Sequence, residues 1–277
     1  MTAPSTTPAK APGQYAEVNG IRLYYEIHGT GRPVVLLHGG LGSLVMFGAN
    51  LETLAKRYKV VAVDLQGHGR TADIDRPISL ELMAEDIAAL IKHLGLDRPD
   101  VVGYSLGGGV AFFTAVRHPD LVRRLVMVST NIRRSAIYPE MLAQQEQVTE
   151  AAAESMKQMP LYQLYASLAP RPEDWGRLIG KIGRSMAKDF DYSREFAGLQ
   201  VPTLIVAADA DMFPPSHAVE MFGLLGGGKR DGGWDGSGHP VSSLAIIPGT
   251  THYSIFDAPP LIPTILSFLD QPERSRA

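Results

Sequence analysis

No cysteine occurs among the 277 residues of the chain. That absence excludes a disulfide framework, a thiolate metal site and a cysteine nucleophile, and it suits a reducing compartment. Long apolar runs are missing too, since no stretch approaches the ~18 consecutive apolar residues of a membrane span. Met1 to Gln14 is rich in Pro, Thr and Ala and lacks the apolar segment of a signal peptide, so residues 1–14 read as a mobile tail. Nor is there an excess of charge of one sign. With 26 Lys and Arg against 29 Asp and Glu, a formal net charge of -3, the chain carries no electrostatic footprint for nucleic acid. The pairs Arg123-Arg124 and Arg133-Arg134 are short and read as solvated ends of helices or strands. The expectation is a soluble, cytoplasmic protein with neither a nucleic-acid nor a membrane partner, as a monomer or a homodimer.

What is present is an apolar content of 45%, enough for one large core. Short β-rich runs recur at Arg22 to Glu26, Val34 to Leu37, Val60 to Val63, Val101-Val102, Leu125 to Val128, Leu204 to Val206 and Leu244 to Ile247. Most are apolar without interruption, as buried parallel strands are. Between two of them Met83, Ile87, Leu90, Ile91 and Leu94 form the stripe of an amphipathic crossover helix. Repetition of this unit predicts an α/β fold, a mostly parallel sheet with helices on both faces and a ligand site beyond the carboxyl ends of the strands. Over 131–199 the strand pattern stops and helix formers take over, which predicts an inserted helical cap on a core of 15–130 and 200–277. Within it Leu161, Leu164, Tyr165 and Leu168 share a face, and Met156, Met159 and Met186 add adaptable bulk. Most of these pack the cap onto the core; a minority line an apolar pocket. The glycine-rich stretch 226–240 precedes the last strand and therefore lies away from the ligand edge. It reads as structural or intersubunit, anchored by Trp234, with His239 at the surface.

Gly103-Tyr104-Ser105-Leu106-Gly107 follows a strand and opens a helix. Glycines on both sides let a serine occupy a strained turn that pushes its hydroxyl into open space. Such a hydroxyl needs a base, and the base needs an orienting acid. His252 follows the final strand and supplies the base. After the strand ending at Val206, Asp209 and Asp211 are both available; Asp211 has cleared the sheet and is assigned as the acid, whereas Asp209 braces the turn. Backbone N–H donors for an oxyanion are expected from Leu106 and from Gly40 in the loop His38-Gly39-Gly40, with His38 supporting that loop. Met46, Phe47, Met212 and Tyr253 are candidates for the substrate pocket. No cofactor is expected, and no metal, because the histidines do not cluster; His68 has no partner nearby in sequence.

These motifs resemble the α/β-hydrolase fold superfamily over nearly the whole length after Gln14. The order Ser105, Asp211, His252, the His-Gly-Gly loop and the Asp64-Leu65-Gln66-Gly67-His68-Gly69-Arg70 turn all fall where that family places them. Two features depart from it: Ala208 replaces a common glycine, and the glycine-rich stretch lengthens the interval from Asp211 to His252. The resemblance implies a serine hydrolase acting on a small-molecule ester through an acyl-enzyme. Related dehalogenases and epoxide hydrolases carry aspartate where Ser105 stands. A lactonase acting on acyl-lactones, acyl-homoserine lactones among them, uses the same residues. Carbon–carbon bond hydrolysis and perhydrolysis also occur on similar triads. A reading of another class is a ligand-binding receptor on the same fold, which would bind an ester without repeated turnover.

Overall fold

Runs such as Val34-Val35-Leu36-Leu37 and Val60-Val61-Ala62-Val63 are apolar at every position, and only cover on both faces of a sheet satisfies them. A computed structural model of the chain describes residues 13–272 and shows how that cover is made. The strands are β1 (Gln14–Val18), β2 (Ile21–His28), β3 (Pro33–Leu37), β4 (Lys59–Val63), β5 (Asp100–Tyr104), β6 (Leu125–Val128), β7 (Thr203–Ala210) and β8 (Ser243–Thr251). They form one sheet in the order β1-β2-β4-β3-β5-β6-β7-β8. Pairing is antiparallel from β1 to β2 and from β2 to β4, and parallel across the rest.

Three helices follow in the first part of the chain: α1 (Gly48–Ala55), α2 (Leu80–His93) and α3 (Leu106–Arg117). Between β6 and β7 run α4 (Pro139–Glu146), α5 (Ala153–Met156), α6 (Pro160–Leu168), α7 (Trp175–Met186) and α8 (Ser193–Ala197). The last two are α9 (Pro215–Leu224) and α10 (Leu261–Leu269). Because side chains alternate along a strand, each strand feeds two cores. Val35, Val61, Val101 and Met127 join Met83, Ile87 and Phe112 on the α2–α3 face. Val34, Val60, Val102 and Val126 join Leu51, Leu54, Ile265 and Phe268 on the α1–α10 face. Ser79 opens α2 by accepting the Leu82 N–H, and the predicted stripe is buried from Met83 to Ile91. No helix among the described residues is long and apolar enough to cross a membrane.

The helical segment between β6 and β7 is tied at both ends. Its two ends meet through the Arg133–Asp191 bridge, with the Tyr192 N–H donating to Ile132 at 2.8 Å and the Arg134 N–H to Phe190 at 2.9 Å. Over the turn that follows β4, Lys181 of α7 reaches the buried Asp73 carboxylate at 2.7 Å and Arg177 reaches it at 3.0 Å. Leu178 packs against Gly67 so closely that a Cβ there would stand 2.8 Å from it.

Three expectations are corrected. Gln14, assigned to the tail, opens β1, whose exposed and buried positions mark a half-covered edge strand; residues 1–12 of that tail lie outside the described residues. Arg123 and Arg124 are buried rather than solvated. The last carbonyls of α10 lack intrahelical donors, and these arginines supply them: Arg123 donates to Leu269 at 3.0 Å and Arg124 to Phe268, and just beyond the helix Arg124 also donates to Gln271. Arg133 and Arg134 are half-buried, the first forked on Glu220 and the second donating to Met186. Trp234 is fully exposed and anchors nothing in its own chain; turns held by Asp231 and Asp235 shape the glycine-rich stretch instead.

Candidate active site

Ser105 caps the N-terminus of α3 at φ 52°, ψ -117°, a region that L-residues avoid. The flanking glycines are required by close approach. A Cβ on Gly103 would stand 2.1 Å from the Gly107 carbonyl oxygen, and one on Gly107 would stand 2.4 Å from that of Leu37. The turn is locked from the next strand, where Val128 accepts the Ser105 N–H at 2.9 Å.

The structure brings Ser105, His252 and Asp211 together. His252 Nε2 lies 3.0 Å from Ser105 Oγ, and Nδ1 lies 2.8 Å from Asp211 Oδ1. A carboxylate oxygen only accepts, so Nδ1 carries the proton and Nε2 is free to accept from the serine. Burial by itself would raise the Asp211 pKa, but its hydrogen bond and charge pairing with His252, then the bonds from Ser129 and the Met212 N–H, outweigh it and hold the carboxyl below its ordinary value. Ser129 donates to Asp211 Oδ2 at 2.6 Å, a partner that no sequence motif marks. Asp209 accepts the N–H groups of Gly249 at 2.9 Å and Thr250 at 3.0 Å, bracing the turn that leads to His252.

Gly40 and Leu106 are neighbours: a Cβ on Gly40 would lie 3.8 Å from that of Leu106. Leu106 is the first residue of α3, so its N–H has no intrahelical acceptor and points with the positive end of the helix dipole. The loop bearing Gly40 is held from below. His38 donates from Nδ1 to Gly39 O at 2.7 Å and accepts the Leu65 N–H on Nε2 at 3.0 Å. With both nitrogens used by a neutral ring, burial pushes its pKa down to about 4. Asp64 joins the same loop to the following turn by accepting from Ser43, from the Leu44 N–H and from the Arg70 N–H. His68, beside His38, is buried and donates to Gln66 O, and burial followed by the nearby His38 brings its pKa to about 3.

Of the four pocket candidates, Met46 is half-buried beside the Gly42 turn, Met212 is half-buried next to Asp211, and Tyr253 is exposed with its ring edge-on to His252. Phe47 is elsewhere. It is buried against Phe256 in the α1–α10 core, because the short helix after Ser43 turns it inward.

Residues 32–158 match the family model described as the α/β hydrolase fold. A soluble epoxide hydrolase from a Corynebacterium strain is 39% identical over 116 residues, a match that spans 41% of this chain and only 40% of that protein. Among solved structures, a thermophilic esterase from Thermogutta terrifontis superposes with a TM-score of 0.69 at 26% identity, covering 94% of this chain and 98% of that one. An enol-lactonase from Burkholderia xenovorans superposes with a TM-score of 0.71 at 22% identity, covering 93% and 100%, and so shares the fold. Together with the strand order and the turn at Ser105, these matches show that the chain has the α/β-hydrolase fold.

Proposed function

We propose that this hydrolase cleaves carboxylic esters of small molecules through an acyl-enzyme formed on Ser105. The observation that carries the reading is the unbroken relay from Ser105 Oγ through His252 to Asp211, with contacts of 3.0 and 2.8 Å. In this reading Ser105 attacks the ester carbonyl while His252 Nε2 takes its proton. The N–H groups of Gly40 and Leu106 receive the oxyanion. The intermediate collapses, the alcohol leaves with the proton from His252, and water activated by the same imidazole releases the acid. Asp211 holds the tautomer and balances the imidazolium. The helical segment 131–199 acts as the cap over this edge, held to the core by Asp73, and Met46, Met212 and Tyr253 surround the acyl or alcohol group.

A lactone is a cyclic ester and meets the same groups, with ring opening in place of alcohol release. An epoxide does not. Attack by a serine hydroxyl would leave an ether, which has no carbonyl for water to reach, whereas a carboxylate nucleophile leaves a hydrolysable ester.

The test is a panel of nitrophenyl esters of graded chain length beside a panel of lactones, run on the wild type and on Ser105→Ala, with a fluorophosphonate to label the nucleophile. Repeated turnover, stoichiometric label on Ser105 and loss of both in the variant support the reading. Full turnover by Ser105→Ala would overturn it, and stoichiometric binding without turnover would make the chain a receptor.

A further inference from the structure

Tyr104 immediately precedes Ser105 in the chain, yet its side chain serves a different segment. The hydroxyl donates to the backbone carbonyl of His252 at 2.6 Å, across 148 residues of sequence. The ring lies 5.5 Å from the His252 ring and 5.1 Å from that of Phe256, which backs it in the core. The same ring fills the space under the oxyanion loop, where a Cβ on Gly39 would stand 2.8 Å from it. One aromatic side chain therefore touches the loop of the base and the loop of the oxyanion donors, while its own backbone carries the nucleophile.

We propose that Tyr104 is a positioning residue: its hydroxyl fixes the peptide plane of His252, and so the height of the imidazole between Ser105 and Asp211, while its ring sets the distance of the Gly39-Gly40 loop. The proposal rests on the serine-hydrolase reading above and adds to it a group that carries no proton in the relay and acts through His252. A hydrogen bond to a main-chain carbonyl suits this task, because it acts on the segment that carries the side chain and leaves both imidazole nitrogens free for the relay. Tyr104 is buried, and burial, then the charge of Asp211, raises its pKa above the usual tyrosine value, so the phenol remains a donor wherever an esterase would work.

The test compares Tyr104→Phe with Phe256→Leu. The first removes only the hydroxyl; the second loosens the packing behind the ring and leaves the hydroxyl bond in place. In Tyr104→Phe, kcat on a short nitrophenyl ester is expected to fall about tenfold, with KM within about twofold, the size of effect set by losing one buried hydrogen bond. The low-field proton NMR signal of the His252 Nδ1–H, which needs no substrate, is expected to shift or broaden, and the pH profile of kcat/KM is expected to move with it. Phe256→Leu is expected to lower the melting temperature while kcat and the low-field signal stay in place. Unchanged kcat and an unchanged signal in Tyr104→Phe would overturn the proposal, as would an equal loss of kcat in both variants, which would mean general loosening. Failure of the hydrolase reading looks different: Ser105→Ala would then keep its turnover, whatever Tyr104→Phe does to the His252 signal.

Discussion

At the scale of single residues, the backbone of Ser105 is held where β-carbons are disfavoured, at φ 52°. Replacing Ser105 by Gly is therefore expected to give a chain more stable than the Ala variant by about 1 kcal/mol, both being inactive, as read by urea unfolding. An Ala variant at least as stable would show that the turn is unstrained. The two aspartates after β7 make a second pair. Asp211→Asn is expected to lower kcat by a factor on the order of 10³–10⁴, since the amide no longer holds the imidazole in the right tautomer. Asp209→Asn should leave kcat within about tenfold and instead weaken the turn at Gly249, whose N–H it accepts. Steady-state kinetics of the two side by side decide the assignment, and the reverse order would make Asp209 the acid. That Asp211 rather than Asp209 reaches His252 was readable, because its distance past the strand tells which carboxylate clears the sheet. Ser129 and Tyr104 were not readable, because a hydroxyl on a neighbouring strand has no sequence pattern until the strands are set side by side.

Among the elements, α7 shows how the helical segment is secured. Lys181 donates to the Asp73 carboxylate at 2.7 Å, to Ile74 O at 2.6 Å and to Arg76 O at 2.7 Å, and Arg171 donates to Asp73 O at 2.6 Å. Lys181→Met removes the donor that the Asp73 carboxylate, Ile74 O and Arg76 O share and is expected to destabilise the chain by about 2 kcal/mol. Hydrogen exchange measured segment by segment is expected to rise in α7 and in the 64–79 turn before it rises in the sheet. A uniform rise would mean that the contact does not govern this segment. Composition was enough to read 131–199 as helical, but it cannot pair Asp73 with a lysine 108 residues away. The same limit explains Arg123-Arg124: a charge pair next to a strand looks solvated until the unpaired carbonyls of a distant helix are brought against it.

For the whole molecule, the continuous apolar runs disclosed the parallel sheet, since a strand that is apolar at every position needs cover on both faces. Only β1 escaped, because its half-exposed alternation resembles a polar tail. The buried imidazoles of His38 and His68 give this fold a sensitivity to acid. Unfolded, both bind protons near the ordinary pKa of 6.5, whereas folded they resist protonation down to about 4 and about 3. The unfolded state thus holds more protons below about pH 6.5, so each ring lowers stability by about 1.4 kcal/mol per pH unit as the pH falls. For His38 the loss ends near pH 4, and for His68 near pH 3. Urea unfolding at a series of pH values is expected to show a slope between pH 6 and pH 4 that is lower by one proton in His68→Asn, which keeps a donor for Gln66 O. An unchanged slope would mean that His68 is protonated in the folded chain.

The grip on α10 has a consequence for how the fold is reached. Arg32, at the foot of β3, donates to Leu269 O across 237 residues. While a ribosome works through that interval, the α1 side of the sheet lacks its α10 cover for about 10 to 50 s at ordinary elongation rates. Its valines are then open to capture by holding chaperones, and closure waits for the arrival of Leu261 to Leu269.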